Sequence, residues 1–322
     1  MALTLFHPRA AVLAAAVVLD FIFGDPVYAA HPVRLMGRSL AWFEKILRRI
    51  GLDGYVGGIV LFLLLSFVWV GGTAALLIAL RRWSVTDFIF ELFLAYSCLA
   101  LHDLIRHAWT VERACRSSDL EAARLAIAKL VGRDTDRMDI AACRRAAIES
   151  MSENLTDGFV SPLAWYALLG LPGLVLFKVV STMDSMVGYK TPPYLRFGWC
   201  GARLDDVMNF LPAPLTWLLL SISCLVIPGT SARKALRIGW QQHSILPGPN
   251  SGWSEAAAAG GIQRKLLGPI WAKGVLVTEI WLGDPADLPA GGGSDMWRAT
   301  LLVGLSGLCA VSLALVICFL RV

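Results

Sequence analysis

From Tyr55 to Leu80 the chain runs without one charged residue; glycines interrupt its apolar side chains, and Arg81 and Arg82 close it. Such a run exceeds the roughly 20 apolar residues a helix needs to cross the hydrocarbon core, where each backbone polar group must be satisfied within its own segment. It predicts a transmembrane helix, so the rest of the chain has to be arranged around a bilayer. Composition agrees: 57% of the 322 residues are hydrophobic, the mean hydropathy is +0.63, and 16% are charged, against about 25% in soluble domains. Further apolar stretches lie at approximately 9–24, 86–101, 159–180, 214–228 and 296–320. The first is shorter than a perpendicular span, and 159–180 carries Pro162 and a Gly-Leu-Pro-Gly turn at Gly170 to Gly173. The expected fold class is all-α: a polytopic integral membrane protein with about four to six membrane segments, some broken or re-entrant. Polar, helical loops are expected at 25–54, 102–158, 181–213 and 229–295.

Charge distribution narrows the partners. The net charge of +5 is carried by Lys and Arg scattered between apolar segments, which suits loops facing anionic lipid on a cytoplasmic side and excludes nucleic acid as a partner. Residues from Gly37 to Ile50 form an amphipathic stretch with a basic face, expected to lie along the membrane surface. Arg81 and Arg82 run against the positive-inside arrangement if Tyr55–Leu80 and the next segment form a hairpin. The seven cysteines contain no Cys-x-x-Cys pair, so neither a zinc site nor a disulfide framework is suggested. The first apolar stretch ends in LDFIFGDP with no small-residue cleavage site and is read as retained.

The polar chemistry gathers at the edges of the apolar segments. In ESMSENLTDGFVSP, Glu149 to Pro162, a helix ending at Gly158 places Glu149, Glu153 and Asp157 on one stripe. Like charges at this spacing repel, so either arginines, with Arg144 and Arg145 nearest, or a cationic ligand face them. The first apolar stretch ends in Asp20 and is followed by Asp25, His31 and Arg34, and an acid one turn inside an apolar helix marks a functional site or an interfacial helix end. In Gly132-Arg133-Asp134-Thr135, either Asp134 or Thr135 caps the next helix or Arg133 contacts an anion. Asp184, Lys190, Arg203, Asp205, Asp206 and Asn209 crowd one short polar stretch, with carboxylate and amide oxygens beside two cations. His243, Asn250 and Glu255 lie in a Gly-rich tract whose Ser254-Glu255 begins a helix, and Leu288 to Ser294 reads as a flexible connector. No Walker loop, HExxH, GxSxG or dinucleotide fingerprint occurs. On these residues alone a membrane enzyme, a transporter and a structural protein remain open.

Seven motifs in order, LDFIFGDP, HPVRLMG, GRDT, ESMSENLTDG, MDSMVGYK, ARLDDVMNFLPA and PNSGWSEAAAAGG, resemble the CobD/CbiB family of cobalamin biosynthesis, adenosylcobinamide-phosphate synthase, over nearly the whole chain. The resemblance implies a single membrane-embedded domain, 1–322, in the bacterial inner membrane with its site facing the cytoplasm. The implied reaction joins adenosylcobyric acid to aminopropanol or its O-phosphate as an amide, with ATP as co-substrate and Mg²⁺ as cofactor. A corrinoid transporter or binding scaffold is the alternative. Implied partners are the corrinoid, the amine, membrane lipid and later membrane enzymes of cobalamin assembly. On this reading Glu149, Glu153, Asn154 and Asp157 are catalytic, and Asp25, Asp184, Asp205 and Asp206 ligate metal. His31, Arg34, Arg133, Lys190, Arg203, His243, Asn250 and Glu255 bind substrate or phosphate.

Overall fold

The computed structural model describes residues 8–25 and 28–321. Helices dominate because long apolar segments satisfy their backbone internally. In chain order they are α1 (Ala10–Phe23), α2 (Pro32–Arg49), α3 (Tyr55–Ser66), α4 (Gly72–Leu80), α5 (Ser84–Ser97), α6 (Leu101–Arg116), α7 (Leu120–Ile127), α8 (Ile140–Leu155), α9 (Ser161–Val187), α10 (Tyr194–Phe197), α11 (Trp199–Asn209), α12 (Pro212–Ser223), α13 (Ala232–Gln242), α14 (Ser251–Ile262) and α15 (Gly293–Leu320). Four stretches are long and apolar enough to cross a membrane: Tyr55–Leu80, Ser84–Arg116, Ile140–Val187 and Gly293–Leu320; α1 and α12 are shorter apolar helices. This is the polytopic all-α architecture expected from the apolar runs.

Two of the long stretches contain π-helical turns, Phe67–Gly71 and Thr156–Val160. The second corrects the expectation that the helix of the acid stripe ends at Gly158: the backbone passes through Gly158 and continues into α9. The anticipated break falls at Gly170 instead, whose φ of +63° is available to a residue without a Cβ, with Pro172 just beyond it.

The chain divides into two compact units. One comprises Met1–Ala100, Ser161–Asn209 and Val311–Val322. Its core joins Phe177 and Val180 of α9 to Met208 of α11, with Phe62, Trp165, Leu176 and Leu204 packed around them. Close approach here depends on glycine: a Cβ on Gly58 of α3 would lie 2.0 Å from the Phe197 carbonyl oxygen. Arg9 pairs with both Asp87 and Glu91 of α5, and the buried Tyr166 hydroxyl donates to Glu91 at 2.7 Å.

The other unit comprises Leu101–Val160 and Phe210–Ala310. Helix α14 packs on α12 and α13 through the small residues of Ala256–Gly261; a Cβ on Gly260 would meet the Lys234 carbonyl oxygen at 2.5 Å. Four short strands, absent from the sequence reading, follow α14. Strand β1 (Leu266–Leu267) pairs antiparallel with β4 (Trp281–Leu282), and β2 (Ile270–Ala272) with β3 (Val275–Thr278). Lys273 and Gly274 turn the second hairpin, both with positive φ (+53° and +76°), as a two-residue primed turn requires. Asp134 clamps this turn: its carboxylate accepts the amides of Lys273 and Gly274 at 3.1 and 2.7 Å, and its own amide donates to Trp271. Asp134 is therefore no helix cap; Asp139 caps α8 by accepting the Ala142 amide at 2.7 Å. The stretch from Leu288 to Ser294 is also held, not flexible: the Lys265 amide donates to the Leu288 carbonyl, the Ala290 amide donates to the Lys265 carbonyl, and Asp295 accepts the amides of Gly291 and Gly292.

Candidate functional site

The residues singled out from sequence fall into two groups, one in each unit. In the unit containing α9 and α11, the end of α9 supplies Asp184 and one face of α11 supplies Asp205 and Asp206. Asp184 lies within electrostatic reach of Asp205, Asp206 and Lys190. Among the described residues Arg203 pairs with Asp206, at 3.2 Å and one turn away, and is itself two-thirds exposed. Asp205 accepts from Asn209 at 2.9 Å, and Asn209 in turn accepts from the buried Ser161 hydroxyl at 2.5 Å, which fixes the amide's orientation. Burial, and then the charge of Asp184, push the Asp205 carboxyl up to about 7. Gly188 packs against Asp184, where a Cβ would lie 2.1 Å from Oδ1.

This donor set bears on magnesium. Mg²⁺ is typically held by one or two carboxylates together with phosphate oxygens and water. The mutual repulsion of Asp184, Asp205 and Asp206 suits such a cation. An all-protein cage is another matter: no group of three or more His, Cys, Asp or Glu among the described residues could hold a metal ion. Of the four aspartates expected to ligate metal, Asp25 pairs with His31, 2.7 Å from Nε2. His31 is buried, which lowers its pKa; Asp25 opposes that shift and Arg34 reinforces it.

The second group is built on α8. Glu149 is buried; one carboxylate oxygen is bonded by Arg133 and the other accepts the Leu267 amide of β1 at 2.8 Å. The expected partners Arg144 and Arg145 are committed elsewhere. Arg144 donates to the fully buried Glu112 at 2.7 Å, and Arg145 donates to the carbonyls of Leu267 and Ala290 while its guanidinium lies over Trp281. Glu255, buried on α14, faces Glu149, Glu153 and Arg133; burial first, then the two glutamates, raise its carboxyl well above the usual range. Glu153 and Asn154 are exposed, Asp157 is half-buried in the π-turn, and Asn154 donates to the Ser150 carbonyl at 2.8 Å. The structure thus joins Arg133, Glu149, Glu153 and Glu255. His243 belongs to an aromatic group, stacked at 3.8 Å on Trp253 beside Trp217 and Trp240, and the buried Asn250 immediately precedes α14.

Sequence reasoning missed Arg9, Asp87 and Glu91, although two acids four residues apart inside an apolar helix are a readable signal. It also passed over Glu112, whose neighbours along the chain give no hint of its buried partner Arg144.

The family model described as CobD/Cbib protein matches residues 13–303. A protein from Sinorhizobium sp named cobalamin biosynthesis protein CobD is 40% identical over 284 residues, covering 85% of this chain and 87% of its own length. A namesake from Pelobacter propionicus is 38% identical over 288 residues, 87% of either chain. Cobalamin biosynthesis protein CbiB of Salmonella choleraesuis is 39% identical over 281 residues, 83% of this chain and 85% of its own. No solved structure matches. With one family model spanning most of its length and relatives near 40% identity that cover it almost end to end, the chain belongs to the CobD/CbiB family.

Proposed function

We propose that this protein acts in cobalamin biosynthesis as an amide-forming enzyme of the bacterial inner membrane, joining adenosylcobyric acid to aminopropanol or its O-phosphate at the expense of ATP. The supporting observation is the crowding of Asp184, Asp205 and Asp206 beside Lys190 and Arg203 at the junction of α9 and α11. A carboxylate does not acylate an amine near pH 7 until its oxygen becomes a leaving group, and a triphosphate must be held while that happens. With no Walker loop, side-chain cations, together with Mg²⁺ held by carboxylates, would take over that task. Asp184 with Asp205 or Asp206 would hold the Mg²⁺, which supplies charge neutralisation at the phosphates. Lys190 and Arg203 meet phosphate oxygens, Arg203 being exposed enough to exchange Asp206 for a ligand.

In the other unit, considered by itself, Glu153 is the exposed carboxylate of the α8 group and is suited to take a proton from an ammonium. Asn154 and Asp157 lie beside it, in and next to the π-turn. Glu149, doubly bonded and buried, is a positioning residue that holds Arg133 and the start of β1. The Lys- and Arg-rich loops support a cytoplasm-facing site; later membrane enzymes of cobalamin assembly are natural recipients of the product.

The test is an assay of purified protein in detergent with adenosylcobyric acid, Mg-ATP and each amine, read by mass spectrometry. A new amide product is expected; corrinoid movement across vesicles with no amine consumed would refute the enzyme reading in favour of a transporter. Glu153→Gln and Asp157→Asn should abolish product at normal expression. Arg203→Lys keeps the charge but loses the bidentate fork and should raise the ATP requirement roughly ten- to hundred-fold. A raised amine requirement at an unchanged ATP requirement would overturn that assignment.

A further inference from the structure

The hairpin of β2 and β3 has one edge covered and one bare. On the β2 side the Asp134 amide donates to the Trp271 carbonyl, and the Asp134 carboxylate accepts the two turn amides. On the β3 side, among the described residues, no strand pairs with the outer edge; the sheet holds β2 and β3 alone. Leu276 stands opposite Trp271. Backbone groups alternate between the two edges of a strand, so a residue opposite one that bonds outward also presents its own N–H and C=O outward. Val275, Leu276 and Val277 are 64, 37 and 63% exposed, with no charge among them. Natural sheets blunt an edge with lysine, proline or a covering element, so three consecutive exposed apolar residues on a bare edge mark a surface that is covered in the working protein. The register steps from Leu276 to Thr278 across a bulge at Val277, which keeps the pairing edge short. The hairpin lies between α14 and α15, outside the four stretches long and apolar enough to cross a membrane, so the bilayer core is not its cover.

The flanks of β3 point to the occupant. The segment reads Lys273-Gly274-Val275-Leu276-Val277-Thr278-Glu279. Two copies laid antiparallel about Leu276 set Val275 opposite Val277 and Lys273 opposite Glu279, each twice by symmetry. Both charged residues are exposed, and neither makes an ion pair among the described residues. A parallel arrangement would set lysine against lysine and glutamate against glutamate, which is unfavourable. We propose that β3 is a self-complementary interface through which two copies of this chain join their hairpins into one four-stranded sheet, about a two-fold axis at Leu276. The backbones of the two Leu276 residues exchange hydrogen bonds, the valines pack across the axis, and two Lys273–Glu279 pairs close the ends. A two-stranded hairpin is marginal by itself, and added strands are what stabilise it. The patch is small against the about 1,200–2,000 Å² of a stable complex, so the association is weak and depends on confinement of both copies to one membrane. It stands independently of the amide-forming reading.

The test is disulfide cross-linking of the full-length protein in its own membrane, with copper–phenanthroline as oxidant. Leu276→Cys should yield a covalent dimer, because the axis brings the two substituted residues to the about 5.5 Å Cα separation of facing strand residues, within disulfide reach. Glu121→Cys, on the exposed surface of α7, should yield none, and neither should the unsubstituted protein, whose cysteines are buried apart from the half-buried Cys309. In the Leu276→Cys background, Lys273→Glu or Glu279→Lys alone sets like charges together twice and should lower the dimer yield several-fold. The two reversals combined should restore it. All three side chains are exposed, so the variants should insert and melt as the unsubstituted protein does. No dimer from Leu276→Cys above the Glu121→Cys background, a cross-link to another protein in place of a second copy, or a yield indifferent to the charge reversals would overturn the interface.

Discussion

Replacing Glu149 by Gln tests whether the α8 group is held by a buried ion pair. The side chains of Arg133 and Glu149 are 13% and 7% exposed, so removing one charge strands the other in a poorly solvated place. Breaking a buried pair costs about 3–5 kcal/mol. The low end applies here, because Gln retains an oxygen for the Leu267 amide and the loss of the Glu149 charge relieves Glu255. About 3 kcal/mol is therefore expected for Glu149→Gln. Glu149→Ala also orphans the buried Leu267 amide, adding about 1–3 kcal/mol. The assay is denaturant and thermal unfolding in detergent, followed by tryptophan fluorescence, across a double-mutant cycle with Arg133→Gln. The double variant should be less destabilised than the sum of the singles by about 0.5–3 kcal/mol, because neither charge is then left unpaired. Strict additivity, or a Glu149→Gln protein as stable as wild type, would refute the ion-pair account.

Glu255 has a raised folded-state carboxyl, so its contribution to stability is fully present below the unfolded value of about 4.3 and is lost as pH rises through the folded-state value. Glu255→Gln should flatten that alkaline decline in melting temperature; an unchanged profile would count against it. Gly58→Ala places a Cβ 2.0 Å from a backbone oxygen, whereas a Cβ on Gly54 meets nothing within 4 Å. The first should lower stability by at least the about 1–3 kcal/mol of an overpacked core, and the second should be nearly neutral in the same melts. Asp134 of one polar tract clamps the hairpin of the other, so cysteines introduced at Arg113 and Arg264 should label from one face of the bilayer. Labelling from opposite faces would contradict the clamp.

The membrane helices were readable because length and apolarity alone identify a segment such as Tyr55–Leu80. The Gly170 break was readable too, from a glycine next to a proline. Gly158 misled: its composition reads as a helix end, yet a π-turn accommodates it without breaking the helix. The strands after α14 are two to four residues long, too short for an alternating pattern, although the Lys273-Gly274 pair between Trp271 and Val275 carried a turn signal. Within the acid stripe, partnership was the illegible part. Arg144 and Arg145 are near Glu149 in sequence, but a helix points neighbouring residues in different directions. Arg133 reaches Glu149 only because the loop before α8 folds back. Asp184, Asp205 and Asp206 were grouped correctly because α9 and α11 lie close in sequence and pack together, while Asp25 proved to face His31.

The π-turn at Phe67–Gly71 governs the angular phase of its helix. Buried positions fall at Gly57, Leu61 and Leu65 before it and at Thr73 and Leu77 after it, a period of four residues. In a regular α-helix each such step overshoots a full turn by about 40°, so the stripe would drift by about 200° between Gly57 and Leu77 and end facing the opposite way. A π-turn absorbs one extra residue and takes back about 100° of that drift. Deleting a single residue there would restore regular geometry and leave Thr73 and Leu77 at their present angle to Gly57, whereas a regular α-helix that kept all the residues would rotate them by about 100°.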